Sequence, residues 1–225
     1  MPSASPDETA DSPPAPDAPA LDCALCPRLV EFREANRDAY PPFHNAPVPS
    51  FGPLDARLLI VGLAPGLKGA NQTGRPFTGD YAGELLYPTL RKFGFAVGDY
   101  GAHAGDGLRL ADCRITNAVR CVPPANKPVG AEINACRPFL VSEIAAMPRL
   151  AVLLALGVVA HSAVLRSLGH KQSHSKFAHG AQHTLPNGLI LADSYHCSRY
   201  NTNTGRLTTE MFEDVFAGVK RVLAD

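Results

Sequence analysis

The 225-residue chain is 45% apolar and 19% charged, a composition typical of one globular domain with a sizeable core, and it leaves too little length for a second full domain. The formal net charge is zero, which excludes a strongly basic or acidic protein as a whole. Residues 1–22, however, carry five acidic side chains and no Lys or Arg. The rest of the chain therefore has an excess of about five positive charges, which is compatible with a polyanionic partner.

The first segment, residues 1–21, consists mainly of Pro, Ala, Ser and Asp. Such a composition buries too little apolar surface to offset the entropy of ordering, so we predict a disordered acidic tail followed by one domain over residues 22–225. The tail lacks the basic start and apolar stretch of a signal peptide, and no later segment offers the ~18 uninterrupted apolar residues of a membrane helix. These patterns predict a cytoplasmic protein without a membrane partner.

Four of the six cysteines form two pairs along the chain. Cys23 and Cys26 stand in the sequence CALC, and Cys121 and Cys136 bound the segment CVPPANKPVGAEINAC. A CxxC turn can aim two thiolates at one metal, and two further cysteines can complete a tetrahedral set. The pattern predicts one structural metal site and fits a zinc ion and an iron–sulphur cluster equally, with ordinary buried thiols as the alternative.

Four short apolar runs are bounded by Pro, Gly or polar residues: RLLIVGL (57–63), RITNAV (114–119), RLAVLLALG (149–157) and GLILADS (188–194). Such runs are typical of buried parallel strands. Helix-like stretches lie between and after them, at 81–95, 130–147, 158–169 and 206–225. The alternation predicts a three-layer α/β/α sandwich around a four-stranded, mostly parallel sheet, with the chemistry at the carboxyl ends of the strands.

The segment GLAPGLKGANQTGRPFTGD, residues 62–80, follows the first predicted strand and contains five glycines. It lacks the Lys-Ser/Thr pair of a Walker phosphate loop, because Lys68 is followed by Gly69, and it lacks the closely spaced glycines of a dinucleotide-binding turn. A glycine-rich turn without a ligand is the alternative. Polar and aromatic side chains favour a recognition loop over that alternative: Asn71, Arg75, Phe77 and Asp80.

Five motifs occur in order along the chain: GLAPG (62–66), TGRPFTGD (73–80), ITNAVRCVPP (115–124), CRPFL (136–140) and DSYHCSRYNTNTGRLT (193–208). In these motifs the chain resembles the bacterial and archaeal iron–sulphur uracil-DNA glycosylases, most closely type B, or family 5, over residues 22–225. The resemblance implies the glycosylase fold with its four-stranded parallel sheet, and a structural [4Fe-4S] cluster on Cys23, Cys26, Cys121 and Cys136. It also implies hydrolysis of the N-glycosidic bond of uracil, and of other deaminated bases such as hypoxanthine, in DNA, which initiates base excision repair.

The resemblance also implies roles for single residues. Asp80 would orient the attacking water or face the developing positive charge on the sugar, with helix capping as its alternative role. His196 would donate to the O2 atom of uracil, and Asn117 would read the N3 and O4 edge of the flipped base. The substrate-binding set adds the first loop motif and a stacking ring to these two residues: Gly62, Leu63, Ala64, Pro65, Gly66 and Phe77.

The segment after His196 is expected to contact DNA through Ser198, Arg199, Tyr200, Asn201 and Arg206. The histidine-rich stretch HKQSHSKFAHGAQH, residues 170–183, is interpreted as a flexible loop near DNA rather than as a metal site. The chain departs from the type B pattern at two positions. Gly66 stands where type B enzymes often have Ala, and Cys197 stands where many relatives have Pro, which we expect to loosen the loop after His196.

Two other functions stay open at this point. A non-enzymatic zinc- or cluster-bearing nucleic-acid-binding protein would use the same basic body, but it would leave Asp80, Asn117 and His196 without a joint purpose. A uracil-restricted glycosylase of family 4 would carry an acidic residue in the first motif, where this chain has Leu63 and Ala64. For a repair enzyme with a single site, a monomer is the default expectation.

Overall fold

The computed structural model describes residues 15–224, apart from the side chain of His174. The prediction of disorder for the first part of the tail, residues 1–14, lies outside the described residues. Residues 15–20 contain no helix or strand, and this segment runs along the body, where the Asp17 amide donates a hydrogen bond to Ser142 Oγ over 2.8 Å.

The centre of the fold is a five-stranded sheet with the order β4-β1-β5-β7-β6. The four predicted strands form its parallel part: β1 (Leu58–Gly62), β4 (Cys113–Asn117), β5 (Val152–Leu156) and β7 (Ile190–Ser194). The predicted count of four strands is short by one, because β6 (Gln182–Thr184) pairs antiparallel with β7. This edge strand has three residues and no buried side chain, so it gives no apolar signal in the sequence. Two further strands, β2 (Ala96–Val97) and β3 (Arg109–Leu110), form a separate hairpin-like sheet.

Helices cover both faces of the sheet. The described helices of four or more residues are α1 (Pro27–Ala39), α2 (Ala70–Thr73), α3 (Tyr81–Lys92), α4 (Gly130–Ala145), α5 (Val158–Ser167), α6 (Arg199–Asn203) and α7 (Thr209–Ala224). Short 3-10 turns lie at Pro124–Asn126 and Gln172–His174. None of the helices in residues 15–224 combines the length and apolar character needed to cross a bilayer.

The alternation of side chains along β1 divides the core into two layers. Leu58 and Ile60 pack on one side with residues of α3 and α7, whereas Leu59 and Val61 pack on the other with residues of α4 and α5. Every residue of β1 is buried, as expected for a strand that is covered on both faces. The predicted three-layer sandwich is therefore confirmed, and all four parallel strands end at one edge.

Candidate active site at the carboxyl edge of the sheet

The predicted site residues meet where the parallel strands end. Gly62 and Asn117 are register partners at the last positions of β1 and β4, and His196 follows β7 by two residues. Asp80 precedes α3, and it borders a cavity of about 500 Å³ together with Leu63, Ala64, Gly66 and His196. A smaller inner cavity of about 30 Å³ lies behind it, lined by Ala64, Pro65, Gly66, Phe77, Asp80, Asn117 and His196.

Glycines in the first loop leave room for the polar side chains of the site. A Cβ atom at Gly62 would lie 2.3 Å from Asn117 Oδ1, and a Cβ atom at Gly69 would lie 2.2 Å from Asp80 Oδ2. At Gly66 the corresponding distance to Asp80 Oδ2 is 2.9 Å, so the departure from the Ala of type B enzymes gives the carboxylate additional space. The loop is therefore shaped to let Asn117 and Asp80 reach the cavity.

Gly69 offers a direct test of this close approach. We expect Gly69→Ala to displace the Asp80 carboxylate and to lower the activity on the order of 10²-fold, since a misplacement of about 1 Å has an effect of that size. The control is Gly130→Ala, at an exposed glycine whose added Cβ would meet no atom within 4 Å. Single-turnover base release by the two variants checks the prediction, and equal rates would contradict it.

Asp80 caps a helix and also faces the cavity. Its Oδ1 atom accepts a hydrogen bond from the Ala82 amide over 3.1 Å at the start of α3, while Oδ2 has no hydrogen-bond partner among residues 15–224 and points at the glycine loop. Burial raises the pKa of Asp80 above its ordinary value, against the opposing hydrogen bond from the Ala82 amide. The two roles considered for Asp80 from the sequence are therefore compatible, because each uses a different oxygen.

His196 is a neutral imidazole in this environment. Burial alone lowers its pKa to about 4, and its ring nitrogens make no hydrogen bond within the described part of the chain. The ring stacks beside Phe77 with a centroid separation of 5.8 Å and an interplanar angle of 27°. A neutral imidazole carries one N–H, so His196 can donate one hydrogen bond into the cavity without bearing a charge.

Asn117 completes the set of uncommitted polar groups. Its side chain is 3% exposed, and its amide has no hydrogen-bond partner within residues 15–224. Polar atoms that have no protein partner and stay accessible at a cavity wall are free to bind a ligand. Asp80, Asn117 and His196 all border the inner cavity, which makes it the natural place for that ligand.

Phe77 is fixed in a strained backbone conformation. Its φ of 51° lies in the left-handed region, which is unfavourable for a bulky residue. The Tyr100 hydroxyl holds the turn by donating to the Phe77 carbonyl over 3.4 Å and accepting from the Gly79 amide over 3.3 Å. The ring thereby stays at the wall of the inner cavity, 6% exposed.

The interpretation of Arg75 and Asn71 as recognition residues is wrong. Arg75 is 4% exposed and donates to both carboxylate oxygens of Asp106 over 2.7 and 2.6 Å. Asn71 is buried and donates to Asn45 Oδ1 over 2.9 Å. Both side chains are buried and make hydrogen bonds inside the protein, so they stabilise the loop.

The segment after His196 lines the mouth of the outer cavity. Ser198 caps α6, and the Asn201 side chain donates to the His196 carbonyl over 2.8 Å. Cys197 is fully buried, so this segment is anchored without the Pro found in many relatives. Tyr200 is 72% exposed beside the cavity mouth.

Two arginines lie near His196: Arg199 lines the outer cavity, and Arg206 lines an adjacent cavity that also contains His196. The Arg199 guanidinium lies over the Tyr81 ring at 5.4 Å, and that of Arg206 lies over the Tyr195 ring at 4.5 Å. Neither arginine has an acidic partner within 4.0 Å among the described residues. Tyr81 and Asn126 line the outer cavity and were missed from the sequence, as was Gly69. Only the position of Tyr81 next to Asp80 gives any signal for it.

The four paired cysteines come together beneath the site. Cys23, Cys26, Cys121 and Cys136 line one small, almost entirely apolar cavity. Burial is the main cause of raised pKa values in three of these thiols. It raises the pKa of Cys121 to about 12, and it raises the pKa of Cys26 and of Cys136 above the ordinary value. These thiols are therefore neutral unless a metal binds them.

The four cysteines are not drawn together into a compact set of ligand atoms in this structure. Within residues 15–224, only one group of three or more His, Cys, Asp or Glu side chains could hold a metal ion. It is formed by His161, His183 and Asp193, whose ligand atoms all lie within 4.8 Å of one another. The four thiols line one cavity without forming such a compact group.

A buried cation lies beside these sulphurs. Arg33 is 3% exposed, and its charge acts to lower the pKa of Cys121. Its Nε atom has no hydrogen-bond partner among the described residues, with the Glu34 carboxylate 3.6 Å away. A negatively charged group on the four cysteines would be stabilised by this cation.

Comparison with known proteins places the whole arrangement in one family. The family described as "Uracil DNA glycosylase superfamily" matches residues 49–220. A type-5 uracil-DNA glycosylase of Thermus thermophilus is 46% identical, with 89% of this chain and 93% of the relative aligned. Type-5 uracil-DNA glycosylases of Mycobacterium leprae (41% identical; 89% and 91% aligned) and Pyrobaculum aerophilum (39% identical; 91% and 89% aligned) are also similar. The resemblance found in the motifs is confirmed, and this chain belongs to the uracil DNA glycosylase superfamily.

Proposed function

We propose that this protein is a monofunctional uracil-DNA glycosylase that hydrolyses the N-glycosidic bond of uracil in DNA and so initiates base excision repair. The observation that carries the proposal is the convergence on one inner cavity of three side chains that each keep a polar atom without a partner among the described residues: Asp80, Asn117 and His196. The similar proteins of Thermus thermophilus and Mycobacterium leprae are named type-5 uracil-DNA glycosylases, which supports this activity. A non-enzymatic binding protein would have no use for such a set.

The reaction passes through a sugar with oxocarbenium character while negative charge flows into the departing base. The Oδ2 atom of Asp80 orients the attacking water and stabilises the positive sugar. The N–H of His196 stabilises the negative charge at uracil O2, and it does so as a neutral donor because burial keeps its pKa near 4. Asn117 offers both a donor and an acceptor to the N3 and O4 edge.

The base must leave the duplex before it reaches these groups, and the inner cavity must widen to receive it. The cavity of about 30 Å³ has room for about one water molecule. The gap of 5.8 Å between the Phe77 and His196 rings is narrower than the ~7 Å that a base stacked between two rings would need. We therefore infer that the flipped base stacks on Phe77 without inserting between the two rings, so that the edge of the His196 ring stays free to donate to uracil O2.

Arg199 and Arg206 bind the phosphates on either side of the extruded nucleotide, since both cations are exposed and lack acidic partners among the described residues. Tyr200, the most exposed aromatic ring at the cavity mouth, fills the space that the base vacates. Ser198 and Asn201 support this surface by fixing α6 and the His196 backbone.

Cys23, Cys26, Cys121 and Cys136 hold a [4Fe-4S] cluster. The support is their shared apolar cavity, the buried charge of Arg33 beside it, and the resemblance of the cysteine motifs to those of the iron–sulphur glycosylases. With four protein ligands the cluster has a structural role, tying α1 to the Cys121 loop and to α4.

The cluster assignment predicts the behaviour of a cysteine variant. Cys121→Ser should lose the iron and inorganic sulphide and lower the melting temperature on the order of 10 °C, because a buried tie between three segments is lost. Cys113→Ala is the control, since this buried cysteine lies outside the cavity and the variant should keep its iron. Analysis of iron, zinc and inorganic sulphide in the purified proteins tests the cluster assignment. About one zinc ion per wild-type chain would contradict it.

The pH dependence of kcat/KM follows from the shifted pKa values of Asp80 and His196. Burial raises the pKa of Asp80 above 3.8, so the carboxylate is lost by protonation at a higher pH than for an ordinary Asp, and kcat/KM falls as the pH decreases through that value. The pKa of His196 is about 4 rather than the ordinary 6.5, so no step occurs near pH 6.5. A step near pH 6.5 that disappears in His196→Ala would contradict this prediction.

We extend the substrate range to other deaminated bases such as hypoxanthine. In the motif GLAPG (62–66), the apolar residues Leu63 and Ala64 line the cavity. This motif contributes no charged group that would restrict the pocket to uracil. A monomer in the cytoplasm remains our prediction.

The test is incubation of the purified protein with a duplex that carries one uracil opposite guanine, followed by alkaline cleavage of abasic sites. Cleavage at the uracil position, and none in a duplex with cytosine there, supports the proposal. Tight binding of the uracil duplex without alkali-sensitive sites would instead indicate a binding protein.

A further inference from the structure

A buried charged cluster lies beside the candidate active site and takes no part in the proposed chemistry. Asp193, at the penultimate position of β7, is fully buried and accepts a hydrogen bond from His161 Nδ1 over 2.7 Å. Its second oxygen accepts from His183 Nε2 over 3.2 Å and from the Ala178 amide over 3.4 Å. His161 lies on α5 and is 2% exposed, and its Nε2 atom is 2.8 Å from the Ser175 carbonyl.

The contacts of His161 identify its protonation state. Both ring nitrogens face acceptors, one a carboxylate and one a carbonyl, so both carry a proton and the ring is an imidazolium. Burial opposes this charge, but the hydrogen bond and charge of Asp193 and the Ser175 carbonyl outweigh it and raise the pKa of His161. His161 and Asp193 thus form a buried ion pair.

A shared metal ion fits this cluster less well. Two ligands about 2.0–2.1 Å from a tetrahedral zinc ion lie about 3.3 Å apart, whereas His161 Nδ1 and Asp193 Oδ1 are 2.7 Å apart. That distance is typical of a charge-assisted hydrogen bond between nitrogen and oxygen. The cluster is therefore built for direct contact between its side chains.

The ion pair ties the segment 175–180 to the end of β7. His161 and Asp193 bind its backbone at Ser175 and at Ala178. One residue further on, His179 Nδ1 accepts a hydrogen bond from the Tyr195 amide over 3.1 Å. The His179 ring also stacks on the Tyr195 ring, with centroids 4.9 Å apart and an angle of 14°.

Tyr195 connects this segment to the active site. It directly precedes His196, and its ring carries the Arg206 guanidinium at 4.5 Å. His179 must keep Nδ1 unprotonated to accept from the Tyr195 amide, and burial favours this state because it lowers the pKa of His179. The histidine-rich stretch, which we interpreted as a flexible loop, is in this part anchored to the sheet.

We infer that Asp193, His161 and His179 are positioning residues that fix Tyr195 and, through it, the imidazole of His196 at the base pocket. The ion pair holds the segment 175–180, and His179 holds the backbone one residue before His196. This inference rests on the proposed role of His196 in uracil release.

The test uses His179→Phe, which retains an aromatic ring for stacking on Tyr195 but removes the acceptor for its amide. We expect the single-turnover rate of uracil release at saturating DNA to fall by about tenfold or more, with a less than threefold change in KM. His179→Gln, whose amide oxygen can accept the same hydrogen bond, should recover part of the rate. The control is His103→Phe, at an exposed histidine outside both cavities.

A double-variant cycle separates positioning from a general structural effect. Because His179 acts through His196, His179→Phe should have no further effect in a His196→Ala background, and Asp193→Asn should behave in the same way. Equal losses in both backgrounds, or full activity of His179→Phe, would overturn the inference while leaving the glycosylase function intact. Absence of uracil release by the wild type would instead remove the proposed function and, with it, this inference.

Discussion

Asp80→Asn should lower the single-turnover rate of uracil release about 10²- to 10⁴-fold, the range typical of losing a positioned general base. The variant keeps the size of the side chain, and Asn caps helices as well as Asp does, so the start of α3 remains formed. What is lost is the negative charge at Oδ2, the oxygen without a partner among the described residues. The rate should therefore fall without a comparable change in the melting temperature.

The matched control is Asp99→Asn, at an aspartate whose side chain is 92% exposed. This variant should release uracil at the wild-type rate. If Asp80→Asn also stayed within threefold of wild type, the water would have to be oriented by another group, and the central role given to Asp80 would be wrong.

His196→Ala should lower the same rate about 10²- to 10³-fold, the effect of removing one preorganised donor to a developing negative charge. The expected loss is in kcat, because the donor acts on charge that appears only as the bond breaks. His196→Gln should recover part of the rate, since its amide can donate a neutral hydrogen bond to the base.

Binding measurements distinguish this role from a purely structural one. A duplex with a non-hydrolysable uracil nucleotide should bind His196→Ala and the wild type with affinities within about tenfold. A loss of affinity as large as the loss of rate would contradict the role of His196 as a donor to the transition state.

The sequence predicted the parallel part of the sheet because its strands are continuous apolar runs that both faces of the sandwich bury. It missed α1, whose apolar residues show little periodicity, and it missed β6, which is formed by pairing with β7 rather than by its own side chains. Helix α3 continues through Pro88, although a proline inside a helix usually kinks or ends it.

Some features of the candidate site could likewise be predicted from the sequence, and others could not. The positions of Asn117 and His196 followed from the rule that parallel strands end at one edge. The structural role of Arg75 could not be predicted from the sequence, because its partner Asp106 is 31 residues away and no local pattern connects the two residues. The function of Gly69 depends on the packing of Asp80 against it, which is visible only in three dimensions.

The most direct test of the central claim is to quantify free uracil and abasic sites together after a single turnover on a G·U duplex. Hydrolysis at the pocket of Asp80, Asn117 and His196 predicts one free uracil per abasic site and an intact strand before alkali. Duplex bound at the same site with no free uracil, or a strand cut without prior base release, would contradict it.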